Sequence, residues 1–248
     1  MSFDYREAKK DIQSILNSRI EISERYTIPE SDSLFTYENG VRAWVGSIFV
    51  DMVDSTSFFT KNNLKDNTIA RIMRAFIEQL VNIMNDNENC YDIGIRGDCV
   101  FGVFQANTKD KIVEMFRTAY CINTFAKMFN RMLEKMNLPK IKSGIGIGSS
   151  QEIIVKVGKK RVVNDKIWIG DAVVNASNLS KIANRSFYDP ICMDYVTYNN
   201  IIEQLLNENE NYSKWITRTS SSKYNGYFYQ CDIVQTNFND WIDEGMKD

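Results

Sequence analysis

Histidine is absent from the 248 residues. Without imidazole there is no Ser–His or Cys–His nucleophile, no histidine metal ligand and no imidazole general base. Chemistry is left to carboxylates, metal ions, Lys, Arg and the backbone. The five cysteines, Cys90, Cys99, Cys121, Cys192 and Cys231, contain no C-x-x-C pair. That excludes a zinc-site spacing and a disulfide framework, and leads us to expect reduced thiols in a cytoplasmic protein. A net charge of −2 lacks the basic excess that nucleic-acid binding needs, so no nucleic-acid partner is expected. No apolar run approaches the roughly 18 residues of a membrane helix, and Met1-Ser2-Phe3-Asp4-Tyr5-Arg6 has no signal-peptide apolar region, so no membrane partner is expected either. With 44% hydrophobic and 25% charged residues, the composition is that of an ordinary globular protein.

Two stretches put an aspartate at the end of an apolar strand. Ile48-Phe49-Val50 runs into Asp51, then into the turn-and-cap signal Asp54-Ser55-Thr56. Tyr91-Asp92-Ile93-Gly94-Ile95-Arg96 reaches Gly97-Asp98, and a second apolar run continues to Phe104. Side by side, these strands would bring Asp51 and Asp98 together, and two close carboxylates repel unless a cation lies between them. Oxygen ligands suit Mg²⁺ or Mn²⁺ better than zinc. Two such ions are the usual clamp for displacement at phosphorus. The alternative is that each aspartate is a turn or edge-strand residue. Ser55 and Thr56 also begin a helix whose free N–H groups can meet a triphosphate.

Around these stretches the periodicity predicts a helix over residues 3–24, a loop over 25–42, a strand over 43–52 and a helix over about 68–85. Hairpin strands follow at 91–97 and 99–105, and then a helix from the Asn107-Thr108 cap to about Met136. Ile12, Ile15, Leu16 and Ile20 give the first helix an apolar stripe for packing or dimer contact. Residues 141–149 alternate glycine with isoleucine, which predicts a strand with one face left open. A separate strand is read at 152–157 and a further one at 161–169. Gly170-Asp171 opens a helix to Ala183, 194–208 reads as helix, 187–193 and 212–219 as extended, and 226–235 as the last strand. No internal repeat or low-complexity linker interrupts the chain, which reads as one domain.

FVDMVDST followed by GIRGDCVFGVF resembles the metal core of the class III nucleotidyl cyclases, the adenylate and guanylate cyclase family, over roughly residues 43–235. The resemblance implies an α/β (α+β) fold: a ferredoxin-type mixed sheet flanked by helices. It implies an N-terminal helix and lead-in loop at 1–42, a catalytic domain at 43–235 and a tail at 236–248. It implies two Mn²⁺ or Mg²⁺ ions per site on Asp51, the Met52 carbonyl and Asp98, with Asp51 and Asp98 as the catalytic residues, and a homodimer with composite sites.

The family's helix motif runs Gly, then Val-Asn, then Arg four residues after the Asn. In Gly170-Asp171-Ala172-Val173-Val174-Asn175-Ala176-Ser177-Asn178-Leu179 an ungapped count puts Val174 and Asn178 at the Asn and Arg places. A shift of one puts Asn175 and Leu179 there, and both registers stay open. The arginine is missing in either, unless Arg185, Arg96 or a partner-chain cation replaces it. The purine-reading places hold Gly94 and Ile167, which argues against adenine and guanine. Arg96 shares a strand face with Gly94 and Asp98, where it can serve a pyrimidine carbonyl or simply neutralise the aspartates.

This pattern looks like the pyrimidine cyclases of bacterial Pycsar anti-phage systems. The expected activity is conversion of UTP, ahead of CTP, to a 3′,5′-cyclic monophosphate and pyrophosphate, with the product acting on a separate effector. Tyr37 is a base contact by the same analogy. Lys223 is the triphosphate grip of the C-terminal hairpin, or else a solvated loop lysine. The rivals are an adenylate or guanylate cyclase with an altered pocket, and a catalytically dead nucleotide-binding regulatory module.

Overall fold

The structure is a computed structural model, and it describes residues 3–61, 64–159 and 163–247. The elements are α1 (Tyr5–Asn17), β1 (Glu21–Glu24), β2 (Asn39–Met52), α2 (Ser55–Lys61), α3 (Asp66–Asn85), β3 (Cys90–Arg96), β4 (Cys99–Gln105), α4 (Lys109–Lys135), β5 (Ser143–Lys159) and β6 (Val163–Ile169). They continue with α5 (Asp171–Ser180), β7 (Ile191–Met193), α6 (Tyr195–Glu208), α7 (Tyr212–Trp215), β8 (Thr217–Ser221), β9 (Tyr224–Cys231) and α8 (Thr236–Asp243). The sheet runs β3-β4-β2-β5-β7-β9-β8, with β1 added beside β2 and β6 beside β5. It is mixed, because β1–β2 and β5–β7 are parallel and the other pairs antiparallel.

Period two splits β2 between two environments. Ile48, Val50 and Met52 enter the main core with Ile72, Phe76 and Leu80 of α3 and Ile112, Phe116 and Phe125 of α4. Ser47, Phe49 and Asp51 face the other way, in register with Gly148, Gly146 and Gly144 of β5. Those glycines are where α5 lies down. A Cβ at Gly144, Gly146 or Gly148 would sit 2.3, 2.0 or 2.3 Å from the carbonyl oxygen of Ser180, Ala176 or Ala172. The open strand face expected from the glycine alternation is therefore filled by helix backbone.

Several boundaries differ from the sequence reading. The first helix stops at Asn17, and Glu21–Glu24 is a strand parallel to the start of β2. Part of the expected 25–42 loop is already β2, while Ile28 and Phe35 of that segment close a second core over Val41, Ala43 and Val45. Residues 143–159 form one strand instead of two. In the expected tail, α8 buries Ile242. Asn62, Asn63, Arg161 and Val162 lie outside the described residues. Among the described residues α1 buries none of its side chains, and no helix is long and apolar enough to cross a membrane.

Candidate active site

Asp51 ends β2, and Asp98 follows Gly97 in the two-residue turn between β3 and β4. Gly97 has φ +64° and open space around its Cα, so glycine is needed here for the left-handed turn, not for close approach. Val50 pairs with Val100, so the strand end and the turn lie side by side. Burial raises the Asp51 pKa most. The Arg185 guanidinium opposes that rise, and Asp98 adds to it. The Cys99 thiol is pushed up to about 11, by burial first and then by both aspartates.

A cleft of about 430 Å³ opens here, lined by Phe49, Asp51, Arg96, Cys99, Phe101, Val173, Val174, Ser177, Asn178 and Lys181 among others. Phe49 stacks on Phe101 with centroids 5.0 Å apart. A Cβ at Gly94 would sit 2.2 Å from the Phe101 ring, so the space left by Gly94 belongs to that aromatic floor. Val174, Ser177, Asn178 and Lys181 recur at helical spacing and form one face of α5. The structure thus brings the ungapped register to the cleft. The Asn175 amide turns away and donates to the buried Asp194 carboxylate at 3.1 Å.

Two cations attend Asp51. The Arg185 Nη2 donates to Oδ2 at 2.7 Å, and Lys181 is close enough to lower the Asp51 pKa. Lys181 was missed in the sequence, although its spacing from Asn178 marks it as a residue of the same helix face. Ser55 and Thr56 open α2 just beyond Asp51, and the Thr56 side chain lies outside the described residues. Tyr37 is exposed before β2 and does not line the cleft. Lys223 is exposed between β8 and β9. Cys231 of β9 pairs with Ile191 of β7, level with Ile145 of β5, and Lys223 lies eight residues before it. Lys223 is therefore some 25 Å from the Asp51 end of the sheet.

The uridylate cyclase of Treponema porcinum is 41% identical over 252 aligned positions, spanning 100% of this chain and 84% of that protein. The chain belongs to the uridylate cyclase family. The uridylate cyclase of Gulbenkiania mobilis is 27% identical, spanning 98% of this chain and 97% of that one. No protein-family model matches the chain. The fold is that of the class III nucleotidyl cyclases. The crystal structure of the adenylyl cyclase CyaB from P. aeruginosa superposes with a TM-score of 0.61 at 16% identity, covering 77% of this chain and 95% of that one. The enzyme is a nucleotidyl cyclase.

Proposed function

We propose that the enzyme converts UTP, ahead of CTP, to 3′,5′-cyclic UMP and pyrophosphate. The observation that carries the reading is the full-length 41% identity to a uridylate cyclase, joined to a cleft that holds Asp51 and Arg96 and adjoins Asp98. The donor set fits a hard divalent ion. It offers two carboxylates and the Met52 carbonyl, with no histidine. Asp51, Met52 and Asp98 would hold two Mn²⁺ or Mg²⁺ ions, which when bound activate the 3′-hydroxyl and neutralise phosphate charge. Ser55 and Thr56 border the triphosphate end of the site.

Arg96 presents donors only. It serves O2 of either pyrimidine and O4 of uracil, and offers nothing to the cytosine amino group. A buried amino group left unpaired costs about 1–3 kcal/mol, or about ten- to a hundredfold in selectivity. At some 25 Å along the sheet, Lys223 can grip a triphosphate only in another chain's site. That supports a homodimer with composite sites, in which Tyr37 and Asn175 would also find their substrate role across the interface. The cyclic product would act on a separate effector in anti-phage defence.

One observation favours a second reading. On the ungapped count the arginine place is held by Asn178, which lines the cleft, and a nucleotide-binding regulatory module without turnover would carry the same loss. Incubation with equimolar UTP, CTP, ATP and GTP and Mn²⁺ decides between them. Cyclic UMP should dominate, and Asp51→Ala and Asp98→Ala should abolish it without unfolding the chain. Cyclic AMP as the main product would overturn the pyrimidine reading, cyclic CMP would overturn the role of Arg96, and no product would favour the regulatory module.

A further inference from the structure

The Arg185 guanidinium is held from two sides. Its Nη1 donates to the carbonyls of Ser180 at 2.8 Å and Ala183 at 3.2 Å, and its Nη2 donates to Asp51 Oδ2 at 2.7 Å. The backbone around it is also fixed. Asn184 and Ser186 have φ of +57° and +56°, and left-handed geometry on both sides of one residue turns the chain sharply back. The Asn184 amide donates to the Ser143 carbonyl at 2.9 Å, and its N–H to the Asp189 carbonyl at 2.9 Å. The loop is therefore pinned to the first residue of β5, directly opposite Met52.

The anchoring carbonyls are the ones that lie over Gly144. A Cβ there would meet Ser180 O at 2.3 Å and Ala183 O at 2.5 Å. Gly144 is the register partner of Asp51. The same close approach that seats the end of α5 on the sheet therefore brings Arg185 within reach of the carboxylate. Only about a quarter of the arginine side chain and a fifth of the aspartate side chain is exposed, at 25% and 19%. Two carbonyls and one carboxylate together orient the fork. An arginine so committed would have to break these three bonds to reach a phosphate.

We propose that Arg185 is a positioning residue. It fixes the Asp51 carboxylate through Oδ2, so that Asp51 would be presented to a metal ion in one orientation, and ties that orientation to the seating of α5. The proposal rests on the two-metal reading above. Outer groups that orient a ligand are typically worth ten- to a hundredfold in metal affinity. Lysine offers one point charge and cannot bridge two carbonyls and a carboxylate as a planar fork does.

The test is Mn²⁺ titration of the full chain without nucleotide, following free Mn²⁺ by electron paramagnetic resonance, with circular dichroism as the check on folding. Arg185→Gln should weaken Mn²⁺ binding about ten- to a hundredfold, and Arg185→Lys should fall between. In an Asp51→Asn background, Arg185→Gln should add no further loss. Unchanged or tighter binding in Arg185→Gln would overturn the proposal, since the arginine would then only compete with the metal. If Arg185→Gln does not fold, Arg185→Lys carries the test, and affinity equal to the unaltered protein overturns it. Equal and negligible binding to the unaltered protein and to Asp51→Asn is a different failure, because it removes the two-metal reading and this proposal with it.

Discussion

Gly146→Ala should uncouple the active-site helix from the sheet. Its Cβ would lie 2.0 Å from Ala176 O, 2.4 Å from Ser180 N and 3.0 Å from Ala176 C. All three atoms are helix backbone, with no side chain to rotate aside. Ordinary contact begins near 3.4 Å, so α5 has to lift by about 1.4 Å at this point. Overpacking of this kind costs about 1–3 kcal/mol, and the absence of a flexible neighbour places this case at the upper end. At about 2–4 °C per kcal/mol for a chain of this size, the midpoint should fall by about 6–12 °C. The face of α5 that carries Asn178 and Lys181 moves with it, and a misplacement of about 1 Å can cost a hundredfold in rate.

Gly46→Ala is the control. Its Cβ would meet Met115 Sδ at 2.5 Å and Cε at 2.9 Å, which is the mobile end of a thioether that can swing away. It should cost about 1 kcal/mol and leave the rate nearly intact, because Gly46 faces α4 and not the cleft. Melting curves and initial UTP cyclisation rates for both variants make the assay. If Gly146→Ala melts and turns over like the unaltered enzyme, or if the two variants are equally impaired, the close seating of α5 is not what shapes the site.

Glu152 is fully buried, and its Oε1 accepts from Ala172 N at 2.7 Å and Ser150 Oγ at 2.8 Å. Burial, the largest cause, raises its pKa, so its ionisation costs stability. The penalty is absent below the unfolded-state value and grows as pH rises through the folded one. Glu152→Gln keeps the acceptor and should gain stability relative to the unaltered chain as pH rises above the ordinary carboxylate range; melts with a pH-independent difference would refute this. Lys181→Met should lower kcat for UTP by at least about tenfold with a smaller change in KM, and an unchanged kcat would remove Lys181 from the reaction.

The aspartate strands were legible because Asp51 and Asp98 each interrupt an apolar run at its end, a pattern visible without tertiary information. The glycine alternation of residues 144–148 announced an open strand face, but not that a helix would fill it. The false break between 149 and 152 has a clear cause. Ser149, Ser150 and Glu152 read as loop polarity, yet in the fold they cap helices from within a strand. Ser149 accepts the Thr197 hydroxyl at 2.9 Å and donates its N–H to Asp194, while Ser150 and Glu152 receive Ala172 N at the start of α5. A short alternation such as Glu21-Ile22-Ser23-Glu24 carries too little periodicity to separate it from the preceding helix. Phe238, Trp241 and Ile242 had helical spacing that the label of a tail hid.

The helix register shows the limit of motif counting. Each asparagine of Val174-Asn175-Ala176-Ser177-Asn178 fell on a family position under one count or the other, Asn175 matching the family's asparagine and Asn178 standing where its arginine would be. The fold separates them, with Asn178 on the cleft and Asn175 on Asp194. Positive charge on this side of the site is then supplied from the end of α5, one turn and two turns beyond Asn178. The two cations are not equivalent there. Arg185 is committed to Ser180 O, Ala183 O and Asp51, whereas Lys181 lines the cleft and acts on Asp51 only through its field. Charge developing on a reacting phosphate is stabilised by a donor free to meet it. Of the two, Lys181 is the one with that freedom, while Arg185 is bonded to the carboxylate.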